Sequence, residues 1–246
     1  IAGERPAAEQ AGTGVTSVAR PAIKVEQSKH ITCFVALPFE EPFKEVLEAL
    51  RDVLEGHPYY WEVKRADQRL YKPNVPENVG HWIARAHCYA VDLTEGNDNT
   101  LMELGLMHWG YTDRPLILMQ RQGDPIRLAN LGERIRVSYP WGDPPDQAAI
   151  AAALREHIRS REDIGKLKGG AHYLSARAMR DVEYIQPKVA QAIADEFETV
   201  EEFVAQDPEA VADKISRKLR TTIPHAVVKL IQEYLQDQCG LRKPTA

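Results

Sequence analysis

The chain has 246 residues, 43% hydrophobic and 27% charged, the balance of a globular protein with one or two cores. A formal net charge of -5 argues against a protein whose main task is gripping a polyanion over a broad surface. Three cysteines (Cys33, Cys88 and Cys239) with no CxxC pair exclude a disulfide scaffold or a structural zinc knot and fit a reducing, cytoplasmic setting. No apolar run approaches the length needed to cross a bilayer, so no membrane partner is expected.

Residues 1–28 are rich in Ala, Gly, Glu, Gln, Ser and Thr without apolar periodicity, and read as a disordered leader. From Ile31 to Leu37 a continuous apolar run ends at Pro38, the pattern of a strand buried on both faces of a parallel sheet. A helix follows over 42–55, where Phe43, Val46, Leu47, Leu50, Val53 and Leu54 recur at helical spacing before Gly56-His57-Pro58 stops them. A second strand is predicted at 60–64, a polar loop through Asp67, Arg69 and 73–76, and a short helix at 79–85. The third strand spans 88–93, the fourth 115–120 and the fifth 134–139, with a closing helix at 147–161. This alternation over residues 29–164 predicts an α/β fold, most simply a flavodoxin-like doubly wound five-stranded parallel sheet.

Lys166-Leu-Lys-Gly-Gly170 reads as a linker, and the remainder, 171–240, as a small all-α domain. Its apolar positions mark four short helices around Val189, Phe203, Ile215 and Ile231. Residues 171–246 hold ten Lys/Arg and twelve Asp/Glu, which disfavours DNA as a partner despite the local cluster Lys214, Arg217, Lys218 and Arg220. Self-assembly into a homo-oligomer through these helices is the more economical expectation.

The chemistry-bearing stretch lies between the third and fourth strands. From Leu101 to Tyr111 the residues are Leu, Met, Glu, Leu, Gly, Leu, Met, His, Trp, Gly and Tyr, so Glu103 is one acid among packing residues. Desolvation should raise its pKa or demand a polar partner. On a helical wheel Leu101, Leu104, Met107, His108 and Tyr111 form the core stripe, with Glu103 at its edge. In an open parallel sheet, ligands bind beyond the carboxyl ends of the strands near the switch in strand order. Pro38 and Phe39, Asp67 and Arg69, Asp92 and Thr94, and Gln120 fall at those ends, and Asn97 or Asn99 can cap the helix that carries Glu103. A carboxylate held in a partly dry cleft suits attack on an anomeric carbon or stabilisation of an oxocarbenium-like transition state. Asp92 could orient the sugar or handle the proton of the departing base. His81, His87 and His108 lack ligand spacing to a carboxylate, and no glycine-rich phosphate loop occurs, so neither a metal nor a cofactor is implied.

Cys33-Phe-Val-Ala-Leu-Pro-Phe39, Ala86-His-Cys-Tyr-Ala-Val-Asp-Leu-Thr94, Asn97-Asp-Asn-Thr-Leu-Met-Glu-Leu-Gly105 and Leu116-Ile-Leu-Met-Gln120 together resemble the nucleoside 2-deoxyribosyltransferase-like superfamily, over residues 31 to about 139. That superfamily is similar in fold and site placement to TIR-type NAD-cleaving domains. The resemblance implies that Glu103, in the Glu-Leu-Gly motif, is the nucleophile on the sugar and that Asp92 assists. Leu-Pro-Phe replaces the transferases' Gly-Pro-Phe after the first strand, and the Asn-rich stretch 95–99 looks more like the TIR-like branch. Hydrolysis by an N-glycosidase acting on a nucleoside, nucleotide or NAD is therefore favoured over transfer to a second base. A nucleotide-binding sensor without turnover, or a DNA-associated adaptor, is the alternative. The helical part resembles helix-hairpin-helix or SAM-like modules in Val189-Ala-Gln-Ala-Ile-Ala-Asp-Glu-Phe197 and Pro208-Glu-Ala-Val-Ala-Asp-Lys-Ile215, without the hairpin glycines that approach DNA phosphate.

Overall fold

A computed structural model of the chain describes residues 29–67, 75–111, 113–125, 136–167, 170–183 and 185–241. The predicted leader, Arg69 and part of the 73–76 loop lie outside them. Five parallel strands form one sheet in the order β2-β1-β3-β4-β5, namely β1 (Thr32–Ala36), β2 (Glu62–Lys64), β3 (Cys88–Asp92), β4 (Leu116–Arg121) and β5 (Arg136–Tyr139). This is the flavodoxin-like order, whose switch point lies between β1 and β3.

Side chains alternate across the sheet, so β1, β3 and β4 feed two cores while the edge strands β2 and β5 feed one. Cys33, Val35, Cys88, Ala90, Ile117, Met119, Val137 and Tyr139 face one side, where α1 (Pro42–Leu54) and α4 (Gln147–Arg159) pack against them and each other. Phe34, Ala36, Tyr89, Val91 and Leu118 face the other, beneath α2 (Val75–Arg85) and α3 (Asp98–Gly110). With both faces covered, β1 and β3 are buried throughout, which is why they read as unbroken apolar runs. Cys33 and Cys88 are register partners inside the first core, and His87 accepts the Thr32 amide at Nδ1, 3.0 Å away.

The helices follow their stop signals with small offsets. Pro42 opens α1, where a missing amide costs no intrahelical bond. Residues 75 and 76, read as loop, belong to the first turn of α2, a position that tolerates proline. The closing helix ends at Arg159, and a short α5 (Glu162–Gly165) follows.

The C-terminal part comprises a 3-10 turn (Ala176–Met179) and α6 (Pro187–Ala194), α7 (Val200–Val204), α8 (Pro208–Leu219) and α9 (His225–Gln238). It surrounds its own core, with one borrowed member. Tyr60, predicted as a strand residue, instead sits in a turn at φ 52° and buries its ring among Leu174, Met179, Ile193 and Phe203. Along the same seam Tyr173 donates its amide to the Tyr60 carbonyl at 2.9 Å, and Ser175 Oγ donates to the Glu55 carbonyl at 2.9 Å. Arg177 then reaches three carboxylates one turn apart on α1: Glu48, Asp52 at 2.8 Å and, just past its end, Glu55 at 3.3 Å. Burial pushes the Glu55 carboxyl up to about 7, against the pull of Arg177 and Arg51. Within the basic cluster, Lys214 pairs with Glu196 and lies over the Phe197 ring, and Lys218 pairs with Asp195 at 3.4 Å. Half of that cluster is thus paired with carboxylates on the surface of the helical part. Among the described residues no helix is long and apolar enough to cross a membrane.

Candidate active site

The chain leaves β1 toward α1 on one face of the sheet and β3 toward α3 on the other, so the switch point, where folds of this kind open a ligand crevice, lies between Pro38-Phe39 and Leu93-Thr94. The two carboxylates expected to work together there are separated by the sheet. Asp92 belongs to the α1/α4 side, in line with Cys88 and Ala90. Glu103 belongs to the α2/α3 side.

Asp92 is wholly buried and its acceptor positions are engaged. Thr94 donates its amide to Asp92 Oδ1 at 2.8 Å, an Asx turn that ends the strand. Tyr139 donates its hydroxyl to Asp92 Oδ2 at 2.6 Å. The network closes through Thr94 Oγ1, which accepts the Arg121 amide at 2.9 Å and lies 3.0 Å from the Tyr139 hydroxyl. Because Tyr139 gives its proton to Asp92, Thr94 is the donor to Tyr139. Burial lifts the Asp92 carboxyl to about 6, the bonds from Thr94 and Tyr139 opposing the rise. Asp92 and Thr94 thus tie the ends of β3, β4 and β5 together, and neither side chain is open to solvent. Tyr139, the centre of this network, escaped sequence reasoning because nothing local links it to a position 47 residues away.

Glu103 has the opposite character. Asn97 caps α3, its Oδ1 accepting the amides of Asn99 at 3.1 Å and Thr100 at 3.2 Å, which fixes where the helix starts. Asn99 itself points into solvent. The buried face of α3 is Thr100, Glu103, Leu104 and Met107, whereas His108 is exposed and Leu101 half-buried. The core stripe is therefore rotated toward Glu103, which the wheel had set at its edge. Glu103 is 8% exposed, and among the described residues no hydrogen-bond or ion-pair partner meets it. Burial alone pushes its carboxyl up to about 7. It lies in the second turn of α3, about 7 Å along the axis from the crevice edge, and helical side chains lean back toward the N-terminus, here toward the crevice.

Pro38 is buried, and Phe39 extends beyond it, 53% exposed, with the Arg65 guanidinium 4.9 Å from its ring centroid. Arg65 also holds Asp67 bidentately, at 2.8 Å and 2.6 Å. Arg65 was not among the residues the sequence singled out, and the two-residue spacing Arg-Ala-Asp was its only local sign; Arg69 lies outside the described residues. Gln120 is buried and donates Nε2 to the carbonyls of Asp124 at 3.0 Å and Pro125 at 3.2 Å, pinning the loop after β4. The opposite lip is rigid as well. Glu95, at φ 60°, donates its amide to Asp124 at 2.9 Å, and Arg121 bridges Glu95 at 3.0 Å and Asp124 at 2.7 Å.

Phe39, Arg65 and Asp67 thus gather beyond the carboxyl ends of β1 and β2, the Asn97 cap and Glu103 stand on α3 beyond the end of β3, and Asp92, Thr94 and Gln120 are bonded into the strand ends themselves. A cavity of about 400 Å³ lies elsewhere, at the seam with the helical part, lined by Tyr59, Trp61, Ile164 and His172. It lies toward the opposite end of the strands from the crevice and has no part in this constellation. Among the described residues no group of three His, Cys, Asp or Glu is placed to hold a metal ion.

No protein-family model matches the chain, and no curated protein matches it. Among solved structures, one of the response regulator StyR is 14% identical, with 87% of this chain and 94% of that one covered at a TM-score of 0.34. Likeness at that level carries no functional weight, and the fold assignment rests on the strand order itself.

Proposed function

We propose that the chain is an N-glycosidase that cleaves the base–sugar bond of a nucleotide, with NAD as the preferred class of substrate, through Glu103. One observation carries this reading: a buried carboxylate with no partner among the described residues, on the helix that leaves the switch point of a doubly wound sheet. A group kept at that cost without a structural partner is better suited to meet a ligand than to hold the fold.

Among the described residues no second acid acts on Glu103, and on this reading that selects among substrates. An ordinary nucleoside base leaves as an anion and needs a proton delivered in the transition state. The nicotinamide of NAD is a pyridinium cation and departs neutral, needing none. Its positive charge also favours the ionised form of a neighbouring carboxylate, restoring the nucleophile that burial suppresses. In this scheme Glu103 bonds to the anomeric carbon as the carbon–nitrogen bond breaks and its electron pair leaves with the base. Water then takes the anomeric carbon, freeing the carboxylate and one proton. Phe39 offers a stacking face for a base, and Arg65 a donor for phosphate. Asp92 serves by holding the lip in place.

Incubating the purified protein with NAD, its phosphorylated form and a panel of nucleosides and nucleotides, followed by chromatography for free base, tests the proposal. Nicotinamide release that Glu103→Gln abolishes is the expected result. No base from any substrate across a range of protein concentrations would refute it and favour the second reading, a nucleotide-binding sensor. The burial of Asp92 already speaks for that alternative, since it leaves one carboxylate where such chemistry often uses two.

A further inference from the structure

The cavity at the seam is walled by both parts of the chain. Pro58, Tyr59 and Trp61 come from the turn before β2, Ile164 and Leu167 from α5 and the residues after it, and His172 from the segment that enters the helical part. Its volume of about 400 Å³ lies in the range of small-molecule sites, which favour such boundaries within a fold. Among the described residues no Asp, Glu, Lys or Arg lines it. The Tyr59 and Trp61 rings meet edge to face there, their centroids 5.1 Å apart.

His172 brings a positioned polar group to this wall. Its ring meets the Tyr60 ring edge to face at 5.6 Å, and its Nδ1 lies 2.6 Å from Glu201 Oε1. Both Glu201 oxygens also accept the His172 amide, at 3.2 Å and 3.0 Å, so the carboxylate is the acceptor and Nδ1 carries the proton. In the neutral ring Nε2 is then an acceptor, and among the described residues no hydrogen bond engages it.

We infer that this cavity binds a small neutral aromatic molecule carrying a ring N–H or an O–H, of the indole or phenol kind, with its ring against Tyr59 and Trp61 and its donor on His172 Nε2. Uncharged walls select a neutral guest, since an ion would lose its hydration there without gaining a counter-charge. The rings select a planar one. The acceptor favours a donor-bearing guest over an analogue without one, which would expel water and leave Nε2 unpaired. Because the walls come from both parts of the chain, an occupant ties the helical part to the sheet and stabilises the two together. None of this rests on a role for Glu103.

Methyl-correlation NMR of the full chain at about pH 8, where an ordinary imidazole is neutral, tests this with two matched pairs: indole against 1-methylindole, and phenol against anisole. The expected result is saturable shifts at Ile31, Ile164 and Leu167 with a dissociation constant below about 1 mM for indole or phenol, and a higher melting temperature. The donor-free partner of each pair should bind roughly fivefold or more weakly. His172→Leu should bring the members of a pair to equal affinity, while Tyr59→Ala weakens both. Shifts that never saturate, or that fall away from these three residues, overturn the proposal. So do donor-free partners that bind the parent chain as tightly as indole and phenol, a comparison that needs no variant to fold.

Discussion

Replacing Glu103 with Gln removes an ionisation and little else, and the burial of that carboxyl fixes how stability should respond. Its pKa rises from 4.5 to about 7 in the folded chain, with burial as the cause. Below the ordinary value both folded and unfolded chains are protonated, and ionisation costs nothing. Between the two values the unfolded chain gives up its proton and the folded chain keeps it, so stability falls as pH rises, and above about 7 the penalty is complete. At 1.36 kcal/mol per unit, the rise from 4.5 to about 7 corresponds to about 3 kcal/mol. Gln cannot ionise and escapes the penalty. Urea unfolding of both proteins should therefore show Glu103→Gln more stable than the parent by about 3 kcal/mol near pH 8, with the gap closing near pH 4. A difference independent of pH, or a variant weakened most at high pH, would mean that a cation compensates Glu103 and would refute the argument. The same variant that loses base release should thus gain stability, a pairing expected where a site residue is held against the interest of the fold.

Three further outcomes are expected. Tyr139→Phe strips Asp92 Oδ2 of its donor inside a solvent-free site and should cost about 1–3 kcal/mol, read as a lower melting temperature. Arg177→Ala leaves the buried Glu55 with Arg51 as its one remaining cation and should cost about 3 kcal/mol by urea unfolding. Losing that cation raises the folded Glu55 pKa further, so this loss should grow as pH rises through neutrality. Asn97→Ala removes the cap of α3 and should cost about 1 kcal/mol in thermal unfolding, whereas Asn97→Asp should retain most of it.

The sheet was largely legible because burial on both faces writes itself into the chain as unbroken apolar runs, as in 31–37 and 88–93. The Asn97 cap was legible for a local reason too, a side chain bonding its own next turn. The rotation of α3 was not. A helix apolar on every side holds no clue to which face goes inward, so His108 was set in the core and Glu103 at the rim when the structure has them the other way. Tyr60 was misread because a tyrosine beside a β-patterned stretch looks like a strand residue, and its true surroundings come from residues more than 110 positions later. The separation of Asp92 from Glu103 follows from strand alternation combined with the side on which α3 crosses, and periodicity alone does not supply the second of these.

The seam built on Tyr60, Glu55 and Arg177 gathers near the amino-terminal ends of the strands, whereas the crevice opens at their carboxyl ends. The helical part is therefore no lid. It occupies the opposite pole of the sheet from the switch point, so in the proposed scheme its surface and the approach to Glu103 would not compete for the same space.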